Sequence, residues 1–162
     1  MWLLPVFSGV CGIAVRVFYR FEVQGPSPPR TGPLLLVANH PNSLVDPALV
    51  TAAAGRPVRF LAKAPLFTHP LVGWLVRASG AIPVYRRSDD PSLTSRNEEM
   101  FAAVFAALSD GAAIGIFPEG LSHSHPSLAD LKTGGARIAL GFAARSGEPL
   151  DVVQPKDLLL ER

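Results

Sequence analysis

At 162 residues the chain has room for one domain with a substantial core and not for two comfortable ones. A hydrophobic share of 48%, a mean hydropathy of +0.27 and only 17% charged residues point to a greasy α/β core, contact with a membrane, or both. The net charge of +2 comes without Lys/Arg blocks or interleaved aromatics, which argues against nucleic acid, and the single Cys11 excludes an internal disulfide framework and a cysteine-based zinc site.

Residues 1–19 are apolar apart from Ser8 and Arg16. A spanning helix needs about 20 apolar residues, and Arg16 interrupts this run early. No basic leader or small-residue cleavage site marks a signal peptide. The expected element is a helix at a bilayer surface over residues 1–20, with Trp2 at the interface and Arg16 and Arg20 reaching headgroups. The alternative is a helix packed on the domain. Residues 21–25 can form a short first strand, and the Pro/Gly-rich residues 24–33 are a connector.

From there the chain alternates. Residues 34–39 are a continuous apolar run, as in a buried parallel strand. The polar turn His40-Pro41-Asn42-Ser43 follows, then Asp46-Pro47, which reads as N-cap and first position of a helix ending before Gly55. Residues 58–62 are a strand running into Lys63. Residues 65–79 are helical in pattern, kinked before Pro70, with Trp74 in the core. Residues 81–85 are a strand followed by Arg86-Arg87 and a polar loop over 88–93. Ser95 and Glu98 form a capping box for a helix with Phe101, Val104, Phe105 and Leu108 on its apolar face. Residues 112–117 are a strand ending in Pro118-Glu119-Gly120. A Ser/His-rich loop, a helix over 134–145 and the start of one more strand at 151–153 complete the chain. The fold class is α/β, a mainly parallel sheet covered by helices on both faces.

Parallel strands share a carboxyl edge, so His40, Lys63, Arg86-Arg87 and Glu119 should converge on one crevice. One base, one acid and several cations there suit an anionic substrate, as does a pool of twelve Arg against three Lys. His40 is the candidate base and Asp46 the carboxylate that orients it; the bland readings are a turn hydrogen bond and a helix cap. Ser43 lacks a Gly-x-Ser-x-Gly elbow and reads as a loop residue rather than a nucleophile. Adjacent strand residues face opposite ways, so one of Arg86 and Arg87 points into the crevice. Backbone N–H groups of the Pro41–Ser43 turn are the candidate oxyanion donors. His123 and His125 are a weak metal pair, and no metal is expected.

Three blocks in order, residues 39–46, 80–87 and 117–120, resemble the glycerolipid acyltransferase family, which includes the glycerol-3-phosphate and 1-acylglycerol-3-phosphate acyltransferases. The resemblance runs from about residue 21 to the C-terminus. It implies an α/β enzyme at the cytoplasmic face of a membrane. The reaction would carry a fatty acyl group from acyl-CoA or acyl carrier protein to a hydroxyl of glycerol 3-phosphate or lysophosphatidic acid, with no cofactor. It makes His40 the base and Asp46 its orienter, with Asn42 and Ser43 as substrate-binding residues beside them. Arg86 and Arg87 match the phosphate-binding block, with Lys63 as a further candidate, and Glu119 and Gly120 match the acceptor-site block. Three departures stand out. Five residues rather than the family's four separate His40 from Asp46, to be absorbed at Pro41-Asn42. Leu121-Ser122 replaces the family's Thr-Arg, leaving His123, Lys132 or Arg137 to supply the charge. The domain over 21–162 ends without the family's later Val-Pro-Val-like block, as in a C-terminally shortened form. Two rival classes are a His/Asp-dependent hydrolase and a truncated, non-catalytic membrane-binding relative.

Overall fold

A computed structural model of the chain describes residues 3–18, 20–24, 27–42, 45–85, 95–120, 130–154 and 156–161, the side chains of residues 3, 7, 20–24 and 156–161 excepted. Ser43, Arg86, Arg87, His123 and His125 lie outside this set, as does Trp2.

The elements follow as α1 (Leu3–Phe18), β1 (Arg20–Gln24), β2 (Leu34–Val37), α2 (Val45–Ala54), β3 (Val58–Lys63), α3 (Ala64–Thr68), α4 (Gly73–Ala78), β4 (Ile82–Val84), α5 (Asn97–Ser109), β5 (Ala113–Ile116), α6 (Gly134–Ser146), β6 (Asp151–Val153) and β7 (Lys156–Glu161). Five strands form a parallel sheet in the order β4-β3-β5-β2-β6. The most apolar strand, β2, lies beside β5 with Leu35 opposite Ile114. Successive side chains on a strand face opposite ways, so a strand covered on both sides must be apolar throughout. Leu35 and Ile114 accordingly join Val104 and Leu108 of α5 and Ile138 and Phe142 of α6 on one face. Leu34, Leu36 and Ala113 join Val50 and Ala54 of α2 on the other.

α1 packs against α2 and α4, burying Val15. Its outer side carries Val6, Val10, Ile13 and Val17 at helical spacing, all exposed. Among the described residues no helix is long and apolar enough to cross a membrane. Cys11 is half-buried on α1, and burial pushes its thiol pKa up.

Several expectations need correcting. The helix expected over 65–79 is two short helices. Pro70 disfavours the α conformation at His69, which is extended at φ −67° and ψ 128°. Gly73 then opens α4, where a Cβ would fall 2.5 Å from the Phe67 carbonyl oxygen. Trp74 is 63% exposed rather than in the core, since this broken segment presents only Gly73 of α4 to the interior. Asp46 is not the N-cap of α2 but its second residue, because its carboxylate serves the preceding turn instead. The capping box at Ser95 and Glu98 does not open α5, which starts at Asn97 with Arg96 at the N-cap and no side-chain capping bond. Asn97 is drawn elsewhere: its side-chain amide holds both the N–H and the C=O of Tyr85, the residue before Arg86. β7 was not foreseen. It pairs antiparallel with β1 in a separate ribbon, so β1 does not join the main sheet.

At the amino edge of the sheet, Arg56 donates to the carbonyls of Pro29, Gly32 and Gly111. The guanidinium fork thereby ties the approaches to β2 and β5 together. Desolvation lowers the Arg56 pKa from its ordinary value.

Candidate active site

The opposite, carboxyl edge is built by the exits of β2 and β5. The ladder between them continues one step beyond β2, where the Ala38 N–H donates to the Ile116 carbonyl at 3.2 Å. The two chains then turn apart. On the β5 side, Phe117-Pro118-Glu119-Gly120 closes with the Gly120 N–H donating to the Phe117 carbonyl at 3.0 Å. Gly120 sits at φ +71°, a conformation glycine adopts without steric cost. The turn delivers the Glu119 carboxylate inward, where only 1% of the residue is exposed. Its Oε1 accepts the backbone N–H of His40 at 2.9 Å. A buried carboxylate requires such donors.

On the β2 side, the imidazole of His40 faces back to α2. Its Nδ1 lies 3.0 Å from Oδ2 of Asp46, which is 5% exposed. A carboxylate oxygen accepts, so in a neutral imidazole this contact is made by Nδ1–H and leaves the lone pair on Nε2. The same Oδ2 accepts the Asn42 N–H at 2.7 Å, and the Asn42 amide lies 3.4 Å from Oδ1. The extra residue between His40 and Asp46 is therefore absorbed in a turn wrapped around the carboxylate, with the Val45 N–H donating to the Asn42 carbonyl. That arrangement narrows the oxyanion expectation to the N–H of Ser43. Pro41 has no N–H, and the Asn42 N–H is committed to Asp46; Ser43 lies outside the described residues.

Two aromatic rings complete the site. Phe117 stacks on His40 with centroids 4.0 Å apart and planes within 8°, and Phe60 of β3 stacks on Phe117 at 5.5 Å. Gly115 makes this possible, since a Cβ there would meet Phe60 at 2.3 Å. The imidazole is thus held in its plane by Phe117 and at its edge by Asp46. Phe60 and Gly115 read as ordinary strand residues in the sequence; Phe117 opens the third block, but nothing local marks its ring as the one that stacks on His40.

Of the expected residues, the structure brings together His40, Asn42, Asp46, Glu119 and Gly120. Lys63 ends β3 at the same sheet edge and is exposed. Arg137 lies over the Phe101 ring, 4.5 Å from its centroid. Among the described residues no group of three or more His, Cys, Asp or Glu could hold a metal ion.

A family model described as Acyltransferase matches residues 20–152. The chain is 27% identical over 85% of its length to a chloroplastic 1-acyl-sn-glycerol-3-phosphate acyltransferase of Brassica napus, covering 38% of that protein. It is 34% identical over 68% of its length to the lyso-ornithine lipid O-acyltransferase of Pseudomonas aeruginosa, covering 38% of it. It therefore spans well under half of these curated relatives. The crystal structure of PlsC, the 1-acyl-sn-glycerophosphate acyltransferase of Thermotoga maritima, shares the fold with a TM-score of 0.63. That likeness covers 86% of this chain and 54% of the other at 23% identity.

Proposed function

The chain belongs to the acyltransferase family, and on that footing we propose that it transfers a fatty acyl group from acyl-CoA or acyl carrier protein to a hydroxyl of glycerol 3-phosphate or lysophosphatidic acid. The observation that carries the reading is the His40 Nδ1 to Asp46 Oδ2 contact of 3.0 Å. It leaves Nε2 as the basic nitrogen.

The acceptor hydroxyl gives its proton to Nε2 of His40 as its oxygen bonds to the thioester carbonyl carbon. Asp46 stabilises the imidazolium formed in that step. The C–S bond then breaks, the new ester is released, and the thiolate leaves with the proton from the imidazolium. Holding both substrates against this base supplies much of the rate. Arg86 or Arg87 receives the acceptor phosphate, as their place in the second sequence block implies, with Lys63 a weaker candidate.

The domain works at a membrane surface. The exposed stripe of Val6, Val10, Ile13 and Val17 on α1, with Phe18 at its end, supports this, as do exposed Leu71 and Trp74 next to and on α4, a helix that packs against α1. Arg16 in the last turn of α1 suits anionic headgroups.

The test is thiol release from palmitoyl-CoA with and without glycerol 3-phosphate or its monoacyl form. Acceptor-dependent release should fall about 10²–10⁴-fold in His40→Ala. Undiminished transfer in that variant overturns the assignment. Release that ignores the acceptor makes the protein a hydrolase.

A further inference from the structure

We infer that the face of the Phe117 ring stabilises the positive charge that His40 acquires during transfer, so that Phe117 is a positioning residue acting on the reaction through the base; the inference rests on the acyl-transfer reading above. The ring and the imidazole lie with centroids 4.0 Å apart and planes within 8°. A benzene ring is negative over its face and positive at its rim, so a cation within about 6 Å of the centroid is attracted to it. Imidazolium spreads its charge over the whole heterocycle, and the parallel stack lays that charge over the negative face. Asp46 Oδ2 meets Nδ1 at 3.0 Å, at the edge of the imidazole, so the two supports act from different directions. Of the other charged groups here, the Glu119 carboxylate holds the backbone N–H of His40, and Lys63 is exposed at the same sheet edge.

Packing alone does not call for an aromatic ring at this point. The buried cluster on which Phe60 and Phe117 rest is built of Leu, Val and Ala side chains, and the phenylalanine falls where the imidazole lies. Phe60 backs it, parallel to Phe117 within 7° at 5.5 Å between centroids, in the space that Gly115 leaves. The three rings come from β3, the exit of β5 and the exit of β2, so the sheet itself sets their spacing. The side chain of His40 is 19% exposed, so water covers little of the ring and its charge depends on fixed partners. Neutral imidazole gains little from the face of Phe117, whereas the cation formed as the acceptor proton moves gains more. A contact that strengthens only as charge develops raises kcat and leaves KM alone.

The experiment uses the full chain, with Phe117 replaced by phenylalanines carrying one, two and three ring fluorines. These keep the shape of the ring and drain its negative face step by step. With palmitoyl-CoA and glycerol 3-phosphate, kcat should fall with each fluorine, by about 3- to 30-fold across the series, the scale of one cation–π contact. KM for both substrates and the melting temperature should hold. Phe117→Leu, which packs without a π face, should lose at least as much in kcat. Spectra of the chain labelled with ¹⁵N-histidine add a readout that needs no turnover. The chain has four His, and the His40 signal is assigned by its loss in His40→Ala. Protonating His40 should require a lower pH with each fluorine added. A kcat that stays flat across the series in a chain that transfers acyl groups overturns the inference and leaves the acyl-transfer reading standing. So does a His40 titration that ignores the fluorines. A titration that follows the fluorines in a chain that transfers no acyl group sustains the charge contact and sinks the acyl-transfer reading, so the two failures are distinguishable.

Discussion

The backbone N–H of His40 donates to the carboxylate of Glu119, 79 positions further along the chain, at 2.9 Å. This bond joins the exits of the two central strands at the point where the imidazole leaves the backbone. Glu119→Ala removes the acceptor and strands a part-buried donor, with an expected loss of about 1–3 kcal/mol of stability. Glu119→Gln keeps a carbonyl oxygen for His40 and should retain more of both stability and turnover. Urea unfolding and initial rates on the two variants check the order, and equal losses would show that His40 does not depend on this acceptor.

Asp46→Asn tests the tautomer. An amide can turn its NH₂ toward Nδ1, which would place the imidazole proton on Nε2 and remove the base. We expect kcat to fall by about 10²-fold or more with little change in KM for either substrate. The same Oδ2 position accepts the Asn42 N–H, so an NH₂ turned to Nδ1 also leaves that donor unpaired, and a stability loss of about 1–3 kcal/mol should accompany the fall in kcat. A shift confined to KM would contradict the orienting role.

Gly115→Ala places a methyl where the Phe60 ring lies. The ring must move, and with it the Phe60–Phe117–His40 stack. The expected outcome is a stability loss of about 1–3 kcal/mol together with slower turnover. Phe60→Leu in the same chain should recover part of the stability, since a smaller side chain leaves room for the methyl. Thermal melts of the single and double variants decide it; strict additivity would mean that the two positions do not share this space.

The two sides of α1 predict opposite behaviour. Val10 and Ile13 are exposed, and replacing both with Asp should abolish co-sedimentation with anionic vesicles while leaving the melting temperature nearly unchanged. Val15 is buried against the domain, so Val15→Asp should destabilise the fold by several kcal/mol. Unaltered vesicle binding in the double variant would remove α1 from the membrane contact.

The amino-acid sequence alone was enough for the alternation of strands and helices, because a strand buried on both faces must be apolar at every position, as Leu34, Leu35 and Leu36 are. It was enough, too, for the shared edge on which His40 and Glu119 meet, since parallel strands all end on one side. Pairing was less legible. Residues 156–161 carry a strand-like Leu158-Leu159-Leu160, but only the partner β1 turns that run into a ribbon.

What tertiary structure decided was the occupation of each polar group. Nothing local distinguishes an Asp that caps its own helix from one that reaches back to an imidazole and an N–H in the preceding turn, and Asp46 does the second. Nothing local reveals that Asn97 holds Tyr85, that Gly115 is empty for the sake of Phe60, or that Lys132 returns to lie across Gly120. Burial periodicity is written in neighbouring residues and survives in one dimension. Hydrogen-bond partners and ring contacts between distant residues depend on which segments the fold brings within about 3–4 Å, and that exists only once the chain has closed on itself.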